Sequence, residues 1–180
     1  MFLVLLSSSF ASAQIDWRGL SVDDGAKRPL AYFPGEAQQI TDTVSTPLGE
    51  MEFTTYYFRD EGKGSNPKSG NLLYTLTIVA YPDGSFHTDS TARIQAFFDA
   101  TLDTATEAVA GELRFAEALE APYTGYIFRI DYGDERDRIV RNRAYLVGDV
   151  YYHMQVFSHT GEGGERSRAR FFESFSPEAL

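Results

Sequence analysis

The sequence contains no cysteine. That absence excludes disulfide staples, thiolate metal sites, thiol nucleophiles and a lipidated cysteine behind a leader segment. Positive charge is also scarce: 16 Lys and Arg stand against 26 Asp and Glu, a formal net charge of −10. An acidic domain repels phosphate backbones, so nucleic acid is not an expected partner. Histidine is limited to His87, His153 and His159. None has the helical i, i+4 spacing or the pairing with Glu that marks a zinc site, and His153 reads as a packed or partly exposed sheet residue. No Gly-x-Ser-x-Gly elbow occurs, and Gly161-Glu162-Gly163-Gly164 lacks the Lys-Ser/Thr of a phosphate loop. No apolar run approaches the about 20 residues that a spanning helix needs. The expectation is a protein that is not an enzyme, holds no cofactor or metal, and has no stable membrane insertion.

Aromatic residues are abundant, 14 Phe and 11 Tyr beside a single Trp, 14% of the chain. Together with β-branched runs they favour a sheet-rich domain. At the start, Met1-Phe2-Leu3-Val4-Leu5-Leu6 leads to Ala11-Ser12-Ala13, an apolar stretch followed by a small-x-small site. This reads as a signal peptide over residues 1–13, although no Lys or Arg precedes its apolar part; the alternative is a buried N-terminal strand. The expectation is export, to the periplasm or beyond the cell, of a single domain spanning residues 14–180.

Punctuation by Pro and Gly divides that domain. A short strand ends at Pro34, and a second short strand covers residues 40–44. Residues 50–58 alternate, with Met51, Phe53, Thr55 and Tyr57 opposite Glu52, Thr54, Tyr56 and Phe58. Residues 72–81 form a nearly continuous apolar run, suited to a central strand buried on both faces and paired antiparallel with 50–58. Tyr81-Pro82-Asp83-Gly84 closes it with a turn. Residues 88–110 carry Ile94, Phe97, Phe98, Thr101, Leu102, Ala105, Ala108 and Val109 as one apolar stripe, which predicts the main helix. Asp89 or Ser90 is its expected N-cap and Gly111 its left-handed C-cap. Residues 113–120 read as a strand or a helix extension, with Gly111 favouring the strand, and a further strand is expected over 125–132. Residues 138–147 and 150–158 predict a hairpin about Gly148-Asp149, pairing Val147 with Val150, Tyr145 with Tyr152 and Arg143 with Met154. A final helix over 164–175 places Ala169, Phe172 and Phe175 on one side, with Phe171 flanking the seam. The fold class predicted is α+β, an antiparallel sheet covered by helices.

Tyr81-Pro82, the Phe97-to-Val109 helix, Gly111-Glu112-Leu113, residues 143–151 and Phe171-Phe172-Glu173-Ser174-Phe175 together resemble exported bacterial proteins of the PsbP/Mog1-like group. The resemblance implies an α/β/α sandwich with a central, mainly antiparallel sheet. It also implies a scaffold for binding rather than catalysis, because its shared motifs are structural. Ala121-Pro122-Tyr123-Thr124-Gly125-Tyr126 departs from the group's usual segment before the Phe128 strand.

Two binding surfaces follow from the residues. Arg136, Arg138, Arg141 and Arg143 make a basic stripe. Within it, Arg141 and Arg143 share a face with Tyr145 and Tyr152, a set that suits carboxylates or an envelope-protein partner. The competing reading is an edge strand charged against aggregation. Tyr56 and Tyr74, with Tyr145 and Tyr152, are alternatively the lining of a small-ligand pocket between sheet and helix, or simply packed core. The acidic segment 131–137 lacks the spacing of a calcium loop and reads as a solvated turn. The function expected is that of a non-catalytic exported binding or accessory protein of the cell envelope, with a small-ligand carrier or enzyme as the alternative.

Overall fold

A computed structural model describes residues 15–22, 28–46, 49–62, 68–86, 91–161 and 163–177. The proposed signal peptide, the Asp89 and Ser90 caps and His87 lie outside these residues. The described chain runs β1 (Arg18–Leu20), β2 (Ala31–Phe33), β3 (Gln38–Thr46), β4 (Gly49–Arg59), β5 (Leu73–Ala80), α1 (Thr91–Ala108), β6 (Glu112–Leu119), β7 (Thr124–Tyr132), β8 (Arg138–Val147), β9 (Val150–His159) and α2 (Glu165–Glu173). Seven strands form one sheet in the order β3-β4-β5-β9-β8-β7-β6, antiparallel throughout, and β1 pairs with β2 apart from it.

Two-residue alternation assigns the side chains to two separate cores. On one face Tyr74 and Leu76 of β5, Tyr152, Met154 and Val156 of β9, and Tyr145 of β8 pack beneath α2 and the β1–β2 pair. Phe171 of α2 is fully buried there, with ring centroids 5.0 Å from Phe33 and 5.3 Å from Tyr74. On the other face Val79, Tyr151, Val140, Ala144, Leu146, Phe128 and Ile130 meet Phe98 of α1. Central β5 is covered on both faces, as its unbroken apolar run requires.

The α/β/α sandwich is corrected by this arrangement. Sheet dominates: among the described residues a seven-stranded antiparallel sheet carries two helices, of 18 and 9 residues. Neither helix forms a covering layer. α1 rests on β6 and β7 at one side of its face, and Phe98 is its one fully buried residue. The apolar stripe of α1 is real, but much of it borders open space rather than sheet. The protein is β-rich, and no described helix is long and apolar enough to cross a membrane.

Two local readings also change. Ala110, with φ 47°, takes the left-handed position after α1, and Gly111 does not. Gly111 is there for clearance: a Cβ would lie 2.4 Å from Ile130 Cγ2 and 2.9 Å from the Asp131 carbonyl oxygen. In α2 the seam is led by Phe171 rather than flanked by it. The hairpin register is as expected, with Val147 opposite Val150, Tyr145 opposite Tyr152 and Arg143 opposite Met154. Of the two turn residues only Gly148 has positive φ, 61°, which is the glycine-first turn pattern.

Asp149, the second turn residue, fastens the neighbouring loop. Its carboxylate accepts hydrogen bonds from the backbone N–H groups of Gly84 at 2.7 Å and Phe86 at 2.8 Å. Its carbonyl oxygen accepts from the Tyr81 N–H at 2.8 Å. The hairpin turn thus ties down the segment after β5. Two charge-assisted bonds of this kind predict that Asp149→Ala costs about 1–3 kcal/mol, and faster amide exchange at Gly84 and Phe86 will locate the loss.

Candidate functional site

The face that α1 only partly covers leaves a groove of about 680 Å³ between the helix and the sheet. Its aromatic walls are Phe53, Tyr81, Phe97, Tyr151 and Phe157. Phe97 fixes their mutual positions by edge contacts, with centroids 5.7 Å from Tyr81, 4.9 Å from Phe86 and 5.1 Å from Tyr151. α1 is held at its far side by Phe98 against Tyr126 and by the Tyr126 hydroxyl donating to Gln95 Oε1 at 3.0 Å. Burial pushes the Tyr81 and Tyr151 phenols up, so both stay protonated, and the Tyr151 hydroxyl meets Thr101 of α1.

Beneath these walls runs a polar row across four neighbouring strands. The Thr55 and Thr77 hydroxyls lie 2.8 Å apart. Thr75 Oγ1 donates to Gln155 Oε1 at 3.2 Å, and Gln155 Nε2 donates to Asn142 Oδ1 at 2.9 Å. His153 Nε2 lies 3.0 Å from the same Asn142 oxygen. Asn142 is itself buried, and its Nδ2 donates to the Val140 carbonyl at 3.3 Å. The residues are cross-strand partners: Thr55 with Thr77, Thr77 with His153, Thr75 with Gln155, and Gln155 with Asn142.

This network determines the state of His153. Because an amide oxygen only accepts, Nε2 carries the proton and Nδ1 is a bare acceptor. Burial lowers the imidazole pKa from 6.5 to about 4, so the ring is neutral near pH 7. Among the described residues Nδ1 has no hydrogen-bond partner, and it is not sealed inside the protein; His153 lines the groove. The groove therefore presents a fixed acceptor beside threonine hydroxyls, under aromatic walls.

The depressed pKa has a consequence for stability. The unfolded chain binds a proton at His153 more readily than the folded one. The contribution is complete above pH 6.5 and is lost as pH falls towards 4. Wild type is expected to lose roughly 2–3 kcal/mol over that window from this group. Urea unfolding at a series of pH values checks it, because His153→Phe will show a smaller acid loss than wild type.

The residues singled out from sequence lie elsewhere. Tyr56, Tyr74, Tyr145 and Tyr152 are all buried in the core on the α2 face, and none lines the groove. Tyr145 stacks on Phe175 with centroids 4.8 Å apart. Arg141 and Arg143 share that face: Arg143 lies over the Phe172 ring at 5.0 Å, and Arg141 donates to Ser158 Oγ at 3.3 Å. The aromatic set on the other face was missed. Its signal was present in the odd-numbered positions of β9, Tyr151, His153, Gln155 and Phe157, which place two polar residues between aromatics on one face.

A second cleft, of about 610 Å³, lies by Pro34, Gly35, Glu36, Tyr57 and Phe58. Asp60 beside it is engaged by the backbone N–H groups of Lys68 at 3.1 Å and Ser69 at 2.6 Å, a loop-fixing role. Among the described residues no three His, Asp or Glu side chains gather as a metal centre. Asp131 of the acidic segment is buried and bonded twice by Arg129, at 2.7 and 3.0 Å.

Comparison with protein-family models, curated proteins and solved structures finds no match. The resemblance to the PsbP/Mog1-like group rests on the hairpin and helix motifs alone, in a fold that departs from that group's sandwich.

Proposed function

We propose that this is a non-catalytic binding protein that holds a small, largely apolar, uncharged molecule in the groove between α1 and the sheet. The observation that carries this reading is the lining: aromatic walls over a hydrogen-bonded polar floor, with no Asp, Glu, Lys or Arg among the described residues that line it. A charged ligand there would lose its water and find no counter-charge, a cost of several kcal/mol. An apolar body with one hydrogen-bond donor matches both the walls and the acceptor at His153 Nδ1. The signal-peptide reading of residues 1–13 belongs to the same proposal, which makes the protein an exported carrier or receptor of the cell envelope.

The test uses N-phenyl-1-naphthylamine, an uncharged aromatic probe with a single N–H. Saturable fluorescence enhancement at one site per chain is the expected result. A linear, non-saturating signal would remove the small-ligand reading. In that case, weight returns to an envelope-protein partner.

A further inference from the structure

The opposite face carries a second and chemically different feature. In a chain of net charge −10, Arg129 of β7 and Arg141 of β8 are direct cross-strand partners. Like charges so placed destabilise a sheet unless something offsets them. Arg168 of α2 adds a third positive charge close enough to act on Arg141. Burial and the charges of Arg168 and Arg129 lower the Arg141 pKa from its usual value; Asp131 and Glu165 oppose them.

Those two carboxylates leave Arg141 without a direct partner. Asp131 is engaged by Arg129 at 2.7 Å and Arg114 at 3.4 Å. Glu165 is largely exposed and sits 3.7 Å from Arg168. Among the described residues Arg141 has no ion pair, and its side-chain hydrogen bond is the one to Ser158 Oγ at 3.3 Å. A guanidinium has five N–H donors in a planar fork, so Arg141 keeps most of its donors for another acceptor. The Arg168 side chain is only 17% exposed, which holds its charge against the sheet instead of in bulk water. Arg143 on the same face is stacked over Phe172 of α2, 5.0 Å from the ring centroid.

We propose that Arg129, Arg141 and Arg168 form an oxyanion site, with Arg141 as its central donor fork. The ligand class is a group with two or more terminal oxygens on one centre, a carboxylate or a phosphate, which guanidinium forks bind in bidentate fashion. This site is independent of the groove, which lies across the sheet and has no charged side chain among its described lining residues.

Calorimetric titration with inorganic phosphate in one arm and citrate in the other, at ionic strength held constant with chloride, tests it. Saturable one-site binding of at least one anion is expected, and the arm that saturates identifies the oxyanion. Arg141→Gln and Arg168→Gln are each expected to weaken it at least ten-fold, whereas Arg93→Gln on α1 leaves it unchanged. Without anion, Arg141→Gln is expected to melt no lower than wild type, because a desolvated cation among like charges has been removed. Failure of both anions to saturate, or equal binding by wild type and the two variants, would overturn the proposal.

Discussion

Truncating Phe171 to alanine is expected to cost about 3–5 kcal/mol. The ring is fully buried and contacts Phe33, Tyr74 and Phe172 at centroid distances of 5.0, 5.3 and 5.6 Å. It therefore joins three pieces: β2, the central strand β5, and α2. The cavity cannot readily collapse, because α2 is pinned at its start. Gly70 and Gly164 approach so closely that a Cβ on Gly70 would lie 2.7 Å from the Gly164 nitrogen. Asn71 Nδ2 donates to the Gly164 carbonyl at 3.0 Å and to the Tyr74 hydroxyl at 2.8 Å. Trp17 is the chain's single tryptophan and packs against the same core beneath Arg170, whose guanidinium lies 4.5 Å from its ring. Its fluorescence in a urea titration is thus a direct readout. A loss below about 1 kcal/mol would mean that α2 is a peripheral attachment, contrary to its place in the core.

The second large effect concerns the groove. Ala108 lines it from the exposed end of α1, so a tryptophan there has room to lie across the opening without displacing core atoms. Ala108→Trp is expected to weaken N-phenyl-1-naphthylamine at least ten-fold while moving the melting temperature little. A matched exposed control, Glu107→Trp, does not line the groove and is expected to bind as wild type does. Equal affinity for all three proteins would place the probe somewhere else.

Much of the element order was legible because strong local signals agreed with the fold. Strict alternation in residues 50–58 and 125–132, and the Gly148 turn, fixed strand faces and register that recur in β4, β7 and the β8–β9 hairpin. Layering was not legible. An apolar stripe states that a helix face avoids water, but not how much sheet it reaches: α1 rests on β6 and β7 and reaches β9 through Phe97 on Tyr151, with a groove left beside it. Tyr74, Tyr145 and Tyr152 read from sequence either as pocket lining or as packed core, and α2 and Phe175 fill the space against them. His153 carried too little local pattern to stand out. Its special state comes from Asn142 on the neighbouring strand, eleven residues earlier, and from the open space above it. The Arg141 stripe was visible as charge, but Arg168 joined it only through the docking of α2.

The central claim is that the groove on the α1 face is where this protein binds. Amide chemical-shift mapping by NMR during titration with N-phenyl-1-naphthylamine tests that most directly. Saturating shifts confined to residues around the groove, among them Thr77, Phe97, Ala105, His153 and Gln155, are the expected result, with Tyr74, Tyr145 and Phe171 on the other face unmoved. Shifts centred on the α2 face, or spread over the surface without saturation, would contradict it.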